Sequence, residues 1–280
     1  MPGPVNALSL DVEEWFQVWN LRGVIRREDW DRFESRVALG TTRFLELLAA
    51  AGARATFFFL GWVAERRPEL VRAARDAGHE IACHGYDHRL LTEMSPDEFR
   101  ADLRRTRDLL AALSGGPVLG YRAPSFSLRS ETAWALDVLR EEGFRYDSSV
   151  FPVRRRRYGM PQAPPHPYRH EGGLLEFPLL TLATPLGRLP AAGGGYLRLF
   201  PVAVIEAALR RMNAAGHPGV IYLHPWELDP AQPRLGGVPP LRAFLHRVNL
   251  SRTETKLRRL LEGRSFVPIG ELPGSLARMP

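Results

Sequence analysis

The chain of 280 residues has one cysteine, Cys83, one lysine, Lys256, and no long hydrophobic run. A single cysteine excludes a framework of internal disulfides. The longest apolar stretch, ATFFFLGWVA at 55–64, is too short to cross a bilayer, which takes about 20 residues. The N-terminal MPGPVNALSLDVEEWF also lacks a basic segment ahead of an apolar one, so no signal peptide is predicted and a cytoplasmic location is the default expectation.

The net charge of +7 is carried almost entirely by arginine. Such a charge would permit an acidic partner, but no base-reading helix, Cys/His finger or stacking motif accompanies it, so no nucleic-acid partner is predicted. The run RRRR at 154–157 is typical of a solvated loop, and its alternative role is to attract an acidic polymer. The sequence leaves the oligomeric state open.

Short apolar runs alternate with longer stretches that have helical periodicity, which predicts an α/β fold with a parallel sheet. The runs lie at 6–11, 55–61, 79–84, 117–123, 143–148, 174–179, 219–224 and 265–270. We expect a single domain built as a distorted parallel (β/α) barrel of about seven strands, with a doubly wound open sheet as the alternative. The motif-bearing core spans 6–227, 151–200 is a loop excursion or lid without a clear helix, and 228–280 is an extension packed on the barrel.

Polar residues with catalytic potential close five of these runs. Because the carboxyl ends of parallel strands meet at one rim, these residues are expected to converge there. They are Asp11 and Glu13, His84 and His88, Arg122, Asp147, and His224.

Two histidine pairs share the same spacing, HGYDH at 84–88 and HPYRH at 166–170. His84 and His88 follow a strand and suit a metal site, whereas His166 and His170 lie among prolines with no strand before them and are predicted to bind no metal. Strand alternation places Asp11 and Glu13 on one face. A carboxylate from this pair would complete an open three-ligand site, while Glu14 is expected at the surface and Cys83 in the core.

The remaining polar residues have complementary uses in hydrolysis. A second carboxylate beside the metal can accept a proton from water, and a histidine opposite can protonate a leaving amine. Arg122 is expected to pair with that carboxylate, and Asp147 to hold His224 in its protonated form. The alternative for Arg122 and Asp147 is a purely structural ion pair.

The series SLDVEEWF, HEIACHGYDH, GYRAPSFS, YDSSVFP and YLHPWE resembles the five motifs of the polysaccharide deacetylases of carbohydrate esterase family four. ATFFFLGWVAER, GGGYLRLFP and NLSRTETKLRRLL further resemble the subgroup associated with exosortase and exopolysaccharide systems. The resemblance implies a (β/α) barrel with a divalent metal, usually zinc, that hydrolyses N-acetyl groups of amino sugars.

The same resemblance assigns a role to each matching residue. Asp11 matches the catalytic base and Arg122 its partner, His84 and His88 match the metal-binding histidines, Asp147 matches the aspartate of the fourth motif, and His224 matches the catalytic acid. The first motif departs from the family, because Glu13 stands as the metal carboxylate where an aspartate is usual. Ser125 replaces a common tyrosine at the position whose backbone N–H serves the oxyanion. Ser125, Tyr196 and Trp226 are predicted to contact the substrate.

The sequence therefore predicts a metal-dependent hydrolase that removes N-acetyl groups from a polysaccharide, with metal-bound water as the nucleophile. One alternative is hydrolysis of a small cyclic amide of the allantoin type. Another is a catalytically silent module that binds glycans. The sequence identifies neither the sugar nor its linkage.

Overall fold

The computed structural model describes residues 4–155 and 158–272 of the chain. Its strands are β1 (Val5–Val12), β2 (Thr56–Phe59), β3 (Glu80–Cys83), β4 (Gly120–Tyr121), β5 (Tyr146–Asp147), β6 (Tyr168–Arg169), β7 (Leu175–Glu176), β8 (Thr181–Thr184), β9 (Gly187–Pro190), β10 (Val220–Leu223) and β11 (Ser265–Val267). The main sheet has the order β10-β1-β2-β3-β4-β5-β7-β6, and β11 also pairs with β1. The strands from β10 to β7 are parallel and β6 is antiparallel. This curled parallel sheet, a half-barrel, confirms the predicted fold class.

The helices are α1 (Val37–Ala51), α2 (Gly61–Arg66), α3 (Pro68–Asp76), α4 (Pro96–Ser114), α5 (Trp134–Glu141), α6 (Gly194–Leu199), α7 (Val202–Ala214), α8 (Pro240–Arg247) and α9 (Leu250–Leu261). Local sequence explains several of their ends. Ser95 and Glu98 form a capping box at the start of α4, and Gly115 ends that helix in the left-handed conformation. Helices α2 and α3 are separated at Arg67, and α3 begins at Pro68 because proline favours the first turn of a new helix. Within the described residues no helix is both long and apolar enough to cross a membrane.

The sheet is buried on both faces, which explains why its strands are continuous apolar runs. Phe57, Phe58 and Phe59 are successive residues of β2, and none of them is exposed to solvent. Helices cover the outer face, while the carboxyl ends of the strands open at one rim. The polar residues that follow β1, β3, β4 and β10 are thereby brought to the same side of the molecule.

The region at 151–200 is more regular than the sequence indicates. β6 and β7 join the main sheet, β8 and β9 form a separate antiparallel hairpin, and α6 is a short helix in the glycine-rich segment where none was predicted. Beyond residue 228, α9 packs against α1, α6 and α7, and β11 lies parallel to β1.

Candidate active site

A cleft with an empty volume of about 580 Å³ opens at the carboxyl ends of the strands. Its walls combine acidic, imidazole and aromatic side chains, namely Asp11, Glu13, Val18, Trp19, Asn20, His84, His88, Ser125, Phe126, Tyr158, Tyr222, His224 and Trp226. Seven of the residues singled out from the sequence are in this lining. Arg122, Asp147 and Tyr196 are outside it.

The end of β1 supplies three carboxylates with different surroundings. Asp11 and Glu13 are both buried and both line the cleft, as alternation along the strand predicts. Glu14 points away and is fully buried, so its predicted surface position is wrong. Its Oε2 accepts hydrogen bonds from the backbone N–H groups of Arg36 at 3.0 Å and Val37 at 3.2 Å. Glu14 is buried because it satisfies free donors at the start of α1.

Glu13, His84 and His88 form a cluster whose ligand atoms all lie within 4.8 Å of one another. The Nδ1–H of His84 donates to the backbone carbonyl of Arg122 at 2.8 Å, which leaves Nε2 as the ring atom available to a metal. Burial, with a smaller effect from His88, lowers the pKa of His84 to about 3. The imidazole is therefore neutral, as a metal ligand must be.

The cluster fits a divalent cation. Glu13 Oε2 is buried and accepts no hydrogen bond, although His88 Nε2 lies only 2.9 Å from it. Burial raises the pKa of Glu13, but the electrostatic attraction of His88 and His224 together outweighs it, so the pKa of Glu13 lies below its ordinary value. A buried carboxylate oxygen without a donor, facing two imidazoles, is what a zinc-like ion with three protein ligands and an open position requires.

Arg122 is completely buried and holds Asp11 in place. Its Nη1 donates to Asp11 Oδ1 and to Ser9 Oγ, both at 2.7 Å. Its remaining N–H groups donate to the Ser148 carbonyl at 3.0 Å and to Ser148 Oγ at 2.9 Å, and the guanidinium lies over the ring of Phe58. Asp11 is thus oriented by an arginine, whereas Glu13 faces the histidines.

The loop after β4 carries Ser125 in a strained conformation. Ser125 and Phe126 have φ values of 52° and 54°, in the left-handed region that non-glycine residues rarely adopt. The loop is anchored where the N–H of Ala123 donates to Ser149 Oγ at 2.7 Å. Strain of this kind at the edge of a cleft is typical of functional loops.

Asp147 does not hold His224, contrary to the expectation from the sequence. It is fully buried, accepts a hydrogen bond from Ser149 Oγ at 2.6 Å, and lies directly opposite Glu176 in the pairing of β5 with β7. Burial and the adjacent Glu176 raise the pKa of Asp147, and burial raises the pKa of Glu176 to about 7. Asp147 therefore supports the Ser125 loop through Ser149.

The second histidine pair lies apart from the metal cluster, which does not include it. His170 Nε2 lies 3.1 Å from Glu176 Oε2, and His166 stacks on His217 with ring centroids 4.3 Å apart. Both have local partners that explain their positions.

His224 takes its support from Glu227, a residue that the sequence reasoning missed. Its Nδ1 lies 3.0 Å from Glu227 Oε2, and its Nε2 lies 3.5 Å from Glu13 Oε1. Glu227 Oε1 in turn accepts from Arg198 Nε at 3.0 Å. Burial lowers the pKa of His224, but Glu13 and Glu227 more than offset it and raise the pKa to about 9. His224 and Glu227 are three residues apart, the spacing of a helical capping box, with Pro225 in the first turn. This spacing is a sequence signal that could have identified Glu227 as the partner of His224.

The three predicted substrate contacts are placed differently. Ser125 and Trp226 line the cleft, and Trp226 stacks between His224 and His246. Tyr196 is not among the lining residues, and its hydroxyl lies 2.6 Å from that of Tyr158, which is. Of the arginine run, residues 156 and 157 lie outside the described part of the chain.

Two family models match the chain. Residues 32–146 match "Polysaccharide deacetylase", and residues 148–273 match "Domain of unknown function (DUF3473)". The similarity to polysaccharide deacetylases is thus located in residues 32–146, less than half of the chain. The segment matched to that family carries His84, His88, Arg122 and Ser125, while His224 and Glu227 lie in the second segment.

Curated relatives agree with the first match. The chain is 33% identical to the peptidoglycan-N-acetylglucosamine deacetylase of Bacillus cereus, over 35% of this chain and 36% of the relative. It is 31% identical to the chitooligosaccharide deacetylase of Rhizobium leguminosarum bv. trifolii, over 35% and 43%. The matched stretches span between about a third and a half of these deacetylases.

The fold also resembles a solved structure. A Mycobacterium smegmatis protein, named as a candidate polysaccharide deacetylase, superposes with a TM-score of 0.63 at 24% identity, covering 94% of this chain and 86% of the other. This likeness supports the half-barrel assignment.

Proposed function

We propose that the protein is a metal-dependent hydrolase that removes N-acetyl groups from amino-sugar units of a polysaccharide. The observation that supports it best is that Glu13, His84 and His88 line one cleft together with His224 and with Asp11, which Arg122 holds. These groups supply a metal site, a carboxylate base and an imidazole acid within one cleft. A silent glycan-binding module would have no need of this combination.

Glu13, His84 and His88 would hold the metal, and zinc suits their two nitrogens and one carboxylate oxygen. When bound, such an ion polarises the acetyl carbonyl and acidifies water. Glu13 takes the position that is usually aspartate in the family. Asp11 is not part of the cluster of ligand atoms, and its Oδ1 is held by Arg122.

Different residues of the chain then accept and donate the protons of the reaction. Asp11 accepts a proton from the attacking water while the oxygen of that water bonds to the acetyl carbon. The backbone N–H at Ser125 donates to the oxyanion that develops on the carbonyl oxygen. His224 gives its Nε2 proton to the sugar nitrogen as the carbon–nitrogen bond breaks, releasing acetate and a free amine.

The proposed substrate is an N-acetylated polysaccharide, including exopolysaccharide of the kind suggested by the resemblance to exosortase-associated proteins. Trp19, Trp226, Tyr158 and Phe126 give the cleft aromatic walls on which sugar rings can stack. Its named relatives, which act on peptidoglycan N-acetylglucosamine and on chitooligosaccharides, support this substrate class.

Acetate release from N-acetylglucosamine oligomers and purified exopolysaccharide, in zinc-loaded protein, tests the proposal. His224→Ala should lose about 10²–10⁴-fold in rate on the amide while keeping its zinc. It should recover much of its rate on an activated aryl acetate ester, whose leaving group needs no proton. Equal impairment on amide and ester would contradict the acid role of His224.

Two further measurements separate the alternatives. Turnover of small cyclic ureides without acetate release from the oligomers would favour the cyclic-amide hydrolase. Failure to bind zinc in equilibrium dialysis, combined with binding of the oligomers, would favour the silent module.

A further inference from the structure

A buried ion pair lies directly behind His224. Glu227 is 0% exposed and Arg198 is 2% exposed, and Arg198 Nε donates to Glu227 Oε1 at 3.0 Å. The other carboxylate oxygen, Oε2, receives both the Nδ1–H of His224 at 3.0 Å and its backbone N–H at 3.1 Å. Glu227 therefore contacts His224 twice and does not line the cleft.

Arg198 is itself fixed by the backbone of the C-terminal segment. Its Nη1 donates to the carbonyls of Leu245 at 3.2 Å, His246 at 3.0 Å and Val248 at 3.0 Å. These carbonyls belong to the end of α8 and the link to α9. The guanidinium thus joins that segment to the carboxylate of Glu227.

Two close approaches leave the turn that carries Glu227 little freedom. A Cβ on Gly194 would lie 1.9 Å from Glu227 Oε2, so only glycine lets the backbone approach the carboxylate this closely. A Cβ on Gly40 of α1 would lie 1.9 Å from the backbone oxygen of Pro225. The turn lies between α1 and the segment that carries Gly194, and this close approach explains the glycine at 194.

We propose that Glu227, held by Arg198, is the positioning residue of His224. Because the carboxylate accepts the Nδ1–H, the ring is fixed with Nε2 toward Glu13 and the cleft, where the leaving amine must be protonated. That last step rests on the proposed function, whereas the orientation of the ring does not. The segment matched to a domain of unknown function would then supply the acid, its support and the anchor of that support.

A double-mutant cycle tests the proposal in the zinc-loaded full chain. Glu227→Gln should lower kcat on the N-acetyl amide by at least about 10-fold, and by no more than His224→Ala does, because it acts only through that ring. KM should stay near the wild-type value, and the activated aryl ester should be hardly affected. The double variant should be no slower than His224→Ala alone. Losses that multiply in the double variant would overturn the proposal.

Glu206→Gln is the matched control, since Glu206 is a largely buried glutamate on α7 that pairs with Arg259 and Arg264. It should leave kcat on both substrates unchanged. Glu227→Gln removes the negative charge that pairs with the buried guanidinium of Arg198, and the unpaired charge can prevent folding. The variant Arg198→Met/Glu227→Gln removes both charges and should show the same loss on the amide with a retained circular dichroism spectrum.

A spectroscopic measurement separates this proposal from the proposed function. In protein labelled with ¹⁵N-histidine, His224 should give a slowly exchanging Nδ1–H signal, identified by its loss in His224→Ala. The signal should disappear in Glu227→Gln and persist in Glu206→Gln. Persistence in Glu227→Gln, or absence in the wild type, would overturn the positioning role. If the signal behaves as expected but no acetate is released from any substrate, the proposed function fails and the positioning role stands.

Discussion

The buried carboxyl groups of Asp147 and Glu176 are expected to make stability depend on pH. Both are fully buried, and their neighbours are His170, Ser149 and the Arg122 guanidinium. Burial raises the pKa of Glu176 to about 7. A carboxyl whose pKa is raised in the folded state contributes stability that is complete below its unfolded pKa and is lost as the pH rises through the folded one.

Replacing Glu176 with glutamine should therefore flatten the pH profile. The amide can still accept the backbone N–H of Val150, which lies 3.0 Å from Glu176 Oε1. The pKa of Glu176 rises from 4.5 to about 7, which at roughly 1.4 kcal/mol per pKa unit corresponds to at most about 3–4 kcal/mol. In a chain of this size that is a Tm difference of several degrees, at roughly 2–4 °C per kcal/mol.

The assay is thermal unfolding of the wild type, Glu176→Gln and the control Glu206→Gln between pH 4.5 and 8.5. The wild-type Tm should fall between about pH 4.5 and 7 by several degrees more than that of Glu176→Gln, and the control should follow the wild type. If Glu176→Gln has the same pH slope as the wild type, the raised pKa of Glu176 is refuted as the cause.

The remaining predictions concern the carboxylates and histidines singled out by the sequence. His84→Ala should abolish the binding of one zinc per chain, whereas His166→Ala should retain it, as measured by metal analysis after dialysis. Full zinc occupancy in His84→Ala would contradict the assignment of His84 as a ligand. Asp11→Asn should keep the metal, and its rate of acetate release should fall by about 10²–10⁴-fold. Glu13→Ala should lose the metal itself. The reverse pattern would show that the two carboxylates have each other's role. Glu14→Ala should remove the cap of α1 and lower the free energy of unfolding, measured by denaturant titration, by about 1–2 kcal/mol. Zinc binding should stay intact. An unchanged unfolding midpoint would argue against the capping role of Glu14.

The sequence predicted the parallel sheet and the convergence at its rim because both follow from local patterns. Apolar runs locate the strands, and the polar residue that ends each run marks the rim. Asp11, Glu13, His84 and His224 were found in this way, and all four line the cleft.

Residues whose roles depend on distant neighbours could not be assigned in the same way. Asp147 was paired with the wrong partner because nothing local shows that β7 lies beside β5 and places Glu176 opposite it. Arg198 reaches Glu227 across 29 positions of sequence, and no motif marks it. Glu14 looked like a surface residue because its partners, the free N–H groups of α1, exist only once that helix starts at Val37.

Strand register explains why parts of the site so far apart in sequence meet. Leu10 pairs with Leu223, so Asp11 and His224 are the next residues on two adjacent strands. Cys83 pairs with Tyr121 in the same way, and the residues that follow them are joined by the hydrogen bond between His84 and the Arg122 carbonyl. Because β10 closes against β1, the second matched segment lies beside the first strand at the site and is not a peripheral appendage. A change that shifts β10 by one residue would turn His224 away from the cleft while leaving the Glu13–His84–His88 cluster intact.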